Sequence, residues 1–202
     1  VAVPQIVETP TGDQTEEHLR LGLIVDLDSG FAAVVRCYGR VVYSVALRVA
    51  AAPADAEDLA AEAFLRAFRA LRGYDAARIR ELRVRPWLLT ILRNTARNAA
   101  RDAARRPGPP PAFEPPELAV AGPSPEQRIE SELAQREWGR LLRQLPEAQR
   151  VAVVLRHVED LPISEIAQIL GCREGTAKSH VSRGLTRLRS LLADTELPGG
   201  QR

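Results

Sequence analysis

The chain has 202 residues, a formal net charge of +2 and a hydrophobic fraction of 45% with only 4% aromatics. That length holds one or two small domains, and an apolar but aromatic-poor composition favours helices packed through Ala, Leu and Val over sheets. Two cysteines, Cys37 and Cys172, stand too far apart and in no spacing suited to a metal or redox centre, which implies a reduced, cytoplasmic setting.

No uninterrupted apolar run reaches membrane-spanning length, and the N-terminus lacks the basic-then-apolar order of a secretory signal, so no membrane insertion is expected. Residues 1–27 read as a flexible leader rich in acids, in which a short helix across Glu16 to Val25 is the minor reading. Ser29 is placed as the N-cap of a long helix whose apolar positions are Phe31, Val34, Val35, Tyr38, Val42, Val45 and Val49. Pro53 and Asp55 open a second helix to about Arg72, with Ala56, Leu59, Ala63, Ala67 and Leu71 inward. Its outer face begins with Asp55, Asp58 and Glu62. Carboxylates there suit the positive end of the helix dipole, or else form an acidic docking edge.

Gly73 ends that helix, and Tyr74 to Val84 reads as a loop. The next helix runs from about Arg85 to Arg106, with Trp87, Leu88, Ile91, Leu92 and Thr95 facing inward near its start. Arg93, Arg97, Arg101 and Arg105 recur every fourth residue. From Arg78 to Arg106 there are nine arginines against two acids. A row of one sign without acidic partners repels itself unless a polyanion lies nearby, so nucleic-acid contact is expected here. Residues 107–124 form a linker, since eight of the fifteen prolines fall between Pro107 and Pro125.

The second half opens on Ser124, Pro125 and Gln127, an N-cap, first-turn proline and capping-box partner. That helix carries Ile129, Leu133, Trp138, Leu141 and Leu142. Pro146 starts another, with Val151, Val154, Leu155 and Val158 inward. A short apolar-periodic segment (Ile163, Ile166, Ala167, Leu170) then ends at Gly171, a residue suited to the left-handed corner between two helices. The last helix sets Ala177, Val181, Leu185, Leu188 and Leu192 on one face. Thr176, Lys178, Ser179, Ser182, Arg183, Thr186, Arg187 and Arg189 stand on the other. Short helix, glycine turn and basic amphipathic helix make the pattern of a helix-turn-helix whose second helix enters a major groove. His18, His157 and His180 have no triad or metal-ligand spacing, and no glycine-rich phosphate loop occurs. An enzyme reading has little support: no catalytic residue, cofactor or metal is expected.

Taken together, the two halves resemble the extracytoplasmic-function group of bacterial sigma factors. Asp55 to Leu71 and Arg85 to Arg106 are similar to the family's region 2, and Leu145 to Arg189 to its region 4. The resemblance implies an all-α fold of two small helical domains joined by the proline-rich linker: residues 28–106 as region 2, 125–194 as region 4, and 195–202 as a tail. It implies that Asp55, Asp58, Leu59 and Glu62 grip the β′ subunit of core RNA polymerase. It places Arg85, Trp87, Arg93, Asn94, Arg97, Asn98 and Arg101 on the −10 element as it opens. Arg173, Glu174, Thr176, Lys178, Ser179, Ser182, Arg183 and Arg187 would read the −35 element in duplex form. The implied partners are core polymerase through β and β′, promoter DNA and a small anti-sigma protein. The sequence departs from the family pattern at Ala61, Pro162, Arg173 and His180, so no promoter sequence carries over. The alternative is a stand-alone helix-turn-helix regulator, since Thr176 to Arg183 also resembles the recognition helix of two-component regulators.

Overall fold

The computed structural model describes residues 12–50, 53–105 and 137–195. Among these the regular structure is helical: α1 (Gly12–Val25), α2 (Leu27–Val49), α3 (Ala56–Leu71), α4 (Ala76–Glu81), α5 (Val84–Arg105), α6 (137–143), α7 (Glu147–His157), α8 (Ile163–Leu170) and α9 (Glu174–Thr195). One 3-10 turn, Pro53–Asp55, leads into α3. The expected linker and the start of the helix at Ser124 lie outside the described residues, as does the tail beyond Thr195.

Helices α1 to α5 form the first bundle around α2. The inner faces predicted from periodicity hold for Val34, Val42, Ala63, Ala67, Leu88 and Leu92, all fully buried, but Val35, counted among the apolar positions of α2, is exposed. Alanines on α3 let it close on α2 and α5, the kind of tight approach that dense interiors require. Thr95 is the buried polar residue at this seam, and its hydroxyl is satisfied by the Ile91 carbonyl at 2.8 Å. Phe31 lies edge-on to Phe64, ring centroids 6.3 Å apart, and closes one end of the bundle. By length and composition α2 could cross a bilayer, contrary to the reading of uninterrupted runs. Its Val34, Tyr38, Val42, Val45 and Val49 are instead buried among the other helices.

Three local expectations are corrected. The leader was expected to be loose, yet Gly12–Val25 is helical and buries Leu19 and Leu23 against α2. The hairpin between them is tight: a Cβ on Gly30 would stand 2.5 Å from the backbone of Gly22 and Leu23, so only glycine fits. The N-cap of α2 is Asp26, not Ser29. The Asp26 carboxylate accepts from the backbone N–H groups of Asp28 and Ser29. The Ser29 side chain, and then the Ser29 N–H, lower its pKa. The segment expected as a loop holds α4, capped by Asp75, whose carboxylate accepts from Arg78 N–H at 2.8 Å.

Helices α6 to α9 form the second bundle, with Leu141, Val151, Val154, Leu155, Leu161, Ile166 and Ile169 at its centre. Val158, expected inward, is exposed at the end of α7. The two bundles pack on each other: α5 lies against α8, and α2 against α7. Arg83 pairs with Glu165 at 2.8 Å, and the Ser44 hydroxyl donates to Glu159.

Candidate nucleic-acid interface

The corner between α8 and α9 is built by Gly171, whose φ of 65° and ψ of 39° place it in the left-handed region. Cys172 N–H reaches back to the Ala167 carbonyl and Gly171 N–H to that of Gln168, the paired bonds of a Schellman ending. Helix α9 starts at once, with Thr176 and Ala177 N–H both on the Arg173 carbonyl. Ala177, Val181 and Leu188 are buried, which fixes the rotation of α9 about its axis. Gly184 is buried as well, packed so tightly on α7 that a Cβ would meet Val153 Cγ2 at 2.6 Å. Periodicity alone did not single it out, because glycine carries no apolar signal.

This rotation leaves Arg173, Glu174, Thr176, Lys178, Ser179, Ser182, Arg183 and Arg187 all exposed along one side of α9. The Ser179 and Thr186 hydroxyls bond back to carbonyls four residues earlier, so each is held in place while its oxygen can still accept a bond. His180 is half-buried at the edge of the face. The result is a rigid, solvent-facing strip of short hydroxyls and long cations, the set that reaches base edges and phosphates.

Helix α5 is arranged differently, and its expected site residues divide into two groups. Asn94, Asn98 and Arg101 face solvent. Arg85, Arg93 and Arg97 are engaged by the second bundle. Arg85 donates Nη2 to the Glu159 carbonyl at 2.9 Å. Arg93, its side chain only 15% exposed, bonds Glu147 at 3.2 Å and donates to the Ile169 and Leu170 carbonyls at 3.3 Å. A cation there also suits the negative end of α8. Arg97 pairs with the other oxygen of Glu147 at 3.4 Å. Glu147, Glu159 and Glu165 were missed as partners in the sequence reading. Glu147 and Glu165 stand in first turns, where acids look like ordinary dipole complements, and Glu159 stands in the turn after α7; nothing local marks any of them as facing another domain.

The start of α5 is held from the leader: Glu16 accepts from Arg85 N–H at 3.0 Å and from the Tyr38 hydroxyl at 3.4 Å. Burial, and then the Glu16 charge, raise the Tyr38 pKa far above the ordinary phenol value. Trp87 is half-buried with its ring 6.1 Å from that of Tyr74, and the Arg78 guanidinium lies 3.7 Å over the Tyr74 ring. Arg78, Tyr74 and Trp87 thus form a platform at α4, with the guanidinium stacked on Tyr74 and the Trp87 ring tilted at 57° to that of Tyr74.

On α3, Asp55 and Asp58 are exposed, whereas Glu62 is tied to Arg66 at 2.6 Å, a bond that lowers its carboxyl pKa. Leu59, expected in the docking edge, is buried in the core and supports the edge from beneath. These groups border a shallow crevice of about 380 Å³ that Asn98 and Asp102 of α5 share. Between α2 and the second bundle, an apolar groove of about 490 Å³ runs past Leu47, Leu142, Leu185 and Leu192, with Trp138 and Val158 exposed beside it and Arg48 and Arg189 on its rim. Among the described residues, no group of three or more His, Cys, Asp or Glu side chains is placed to hold a metal ion.

Residues 34–106 match the sigma-70 region 2 family and residues 135–188 the sigma-70 region 4 family. The chain is 29% identical over 177 residues to the ECF RNA polymerase sigma factor SigW of Bacillus subtilis (strain 168), covering 81% of this chain and 89% of that protein. It is 32% identical over 138 residues to the ECF RNA polymerase sigma-E factor of Escherichia coli (strain K12), covering 64% and 69% respectively. Among solved structures, the co-crystal structure of the sigma factor RpoE in complex with the anti-sigma factor NepR from Bartonella quintana shares its fold. The TM-score is 0.58 at 24% identity, over 81% of this chain and 96% of that chain.

Proposed function

The chain belongs to the extracytoplasmic-function group of bacterial RNA polymerase sigma factors, and on that premise we propose how its surfaces divide the work of initiation. Helix α9 reads the −35 element as duplex. Helix α5 and the Tyr74–Arg78–Trp87 platform receive the −10 element as it opens. A base leaving the stack costs a few kcal/mol, and stacking on an aromatic side chain returns about 1–3 kcal/mol per base. The edge at Asp55, Asp58 and Glu62 docks on the polymerase β′ subunit. An anti-sigma protein covers the apolar groove beside Trp138, whose exposed apolar surface and basic rim suit an amphipathic segment with acidic flanks.

The observation that carries the reading is the uniform exposure of the eight expected side chains on α9, together with a second, separate arginine helix. The pairing of Arg93 and Arg97 with Glu147 adds a condition: α5 meets DNA only after the two bundles part. Binding to core polymerase supplies the work of parting them. A stand-alone regulator is disfavoured, because its DNA contact would need no such opening and the first bundle lacks the α/β receiver that reading requires.

Run-off transcription with purified core polymerase tests the proposal. Promoter-dependent transcripts appear only when this chain is added. Tight, sequence-specific duplex binding by the isolated chain, with no transcripts in the reconstituted system, would overturn it.

A further inference from the structure

Between the two bundles lies a crevice of about 500 Å³, walled by α5 on one side and by α6 and α7 on the other. Five guanidinium groups line it: Arg93, Arg97 and Arg101 from α5, Arg143 from α6 and Arg150 from α7. The lining holds one carboxylate, Glu147. That carboxylate is already shared by Arg93 and Arg97. Arg150 donates Nη2 to the Val49 carbonyl at 3.3 Å, and its buried Nε has no hydrogen-bond partner. Burial foremost, and then the neighbouring Arg143 cation, push the Arg150 pKa below its ordinary value despite Glu147. The remaining lining is alanine and valine, which leaves the space between the guanidiniums open and offers no competing acceptor side chain.

We propose that this crevice binds a small oligophosphate, an anion of three or more linked phosphoryl groups, which bridges the two bundles and holds them closed. The surplus of fixed positive charge is concentrated in a partly enclosed space, where low-dielectric walls focus the field. Guanidinium forks match phosphoryl oxygens in pairs, and a linear oligophosphate presents several such pairs in a row. A single sulfate or phosphate has too few oxygens to pair with all five guanidinium groups at once. A duplex reaches the exposed Arg101 but not the inner groups, Arg93 being only 15% exposed. The inorganic anion and the tail of a nucleoside triphosphate share this chemistry. Since Arg97 and Arg101 also belong to the expected DNA row, occupancy of the crevice competes with DNA on α5. Binding itself depends on the closed arrangement and not on the proposed promoter contacts.

Isothermal titration of the full chain, without divalent cations and at fixed ionic strength, tests this with inorganic triphosphate, ATP and sulfate in parallel. The expected result is saturable binding of one triphosphate per chain and none of sulfate. Arg143→Ala and, independently, Arg101→Ala each weaken it by about tenfold or more. Arg40→Ala, on an exposed residue of α2 outside the crevice, changes it less than about twofold. ATP binding as tightly as triphosphate assigns a nucleotide tail, and weaker ATP binding assigns the inorganic anion. No saturable binding, several anions per chain, or equal weakening by Arg40→Ala and Arg143→Ala overturns the proposal. Because no polymerase or promoter enters the assay, its failure leaves the transcription result standing, and the reverse holds too.

Discussion

Replacing Glu147 with Gln tests how firmly the two bundles are held together. The carboxylate bonds Arg93 at 3.2 Å and Arg97 at 3.4 Å, with side-chain exposures of 15%, 39% and 38% for Arg93, Arg97 and Glu147. The pair with Arg97 is open enough that solvent screens it to a few tenths of a kcal/mol. The pair with Arg93 is worth more, since Arg93 is nearly enclosed and would be left with two carbonyls alone. Together they give about 1–2 kcal/mol, or a shift of about 5–30-fold toward the open arrangement. Glutamine also removes a charge from the first turn of α7, which costs that helix about 0.3–1 kcal/mol wherever the other bundle sits. Stability alone therefore does not isolate the effect, whereas binding to single-stranded DNA does. Two released arginines add about two phosphate contacts, so the salt slope of binding steepens by about 1.4. Fluorescence anisotropy against a labelled single-stranded oligonucleotide over a salt series reads that slope. X-ray scattering reads the radius of gyration of the same sample. An unchanged slope with unchanged dimensions would refute the idea that Glu147 holds α5 away from DNA.

Four other substitutions have expected outcomes. Gly184→Ala forces a Cβ to within 2.6 Å of Val153 Cγ2 and 3.2 Å of the Gln149 carbonyl, and thermal unfolding should show a loss of about 1–3 kcal/mol. Gly30→Ala clashes with backbone rather than side chain, so α1 must leave α2; hydrogen exchange in Gly12–Val25 should rise sharply while the second bundle keeps its protection. Asp58→Arg, on an exposed residue in the first turn of α3, should cost about 0.5–2 kcal/mol of stability by reversing a charge at the positive end of the helix dipole, and should weaken capture by core polymerase in a pull-down of the still-folded chain. Arg183→Ala should reduce promoter-directed transcripts by the equivalent of about 1–3 kcal/mol with the helical circular-dichroism signal unchanged, and an unaltered transcript level would remove Arg183 from the reading face.

The amino-acid sequence by itself determined the helices α2, α3, α5, α7, α8 and α9, most of the inner faces of α2, α3 and α5, the Gly171 corner and the polar strip of α9. Each of these is encoded within a few turns, because residues three and four apart share a face and capping groups act on their nearest neighbours. Where local signals competed, the reading slipped. Asp26 and Ser29 are both fit to cap, and Asp75 marks a helix too short for periodicity to register. Only the tertiary structure decided which charges meet. Arg93 and Glu147 lie 54 residues apart, and neither helix bears a local sign that its partner is the other. The same holds for Glu16, whose contact with Arg85 turns a leader that looked loose into the clasp at the start of α5. Side-chain periodicity specifies what a helix buries, but pairing across domains depends on how whole helices dock, which is settled by the sum of distant packing contacts.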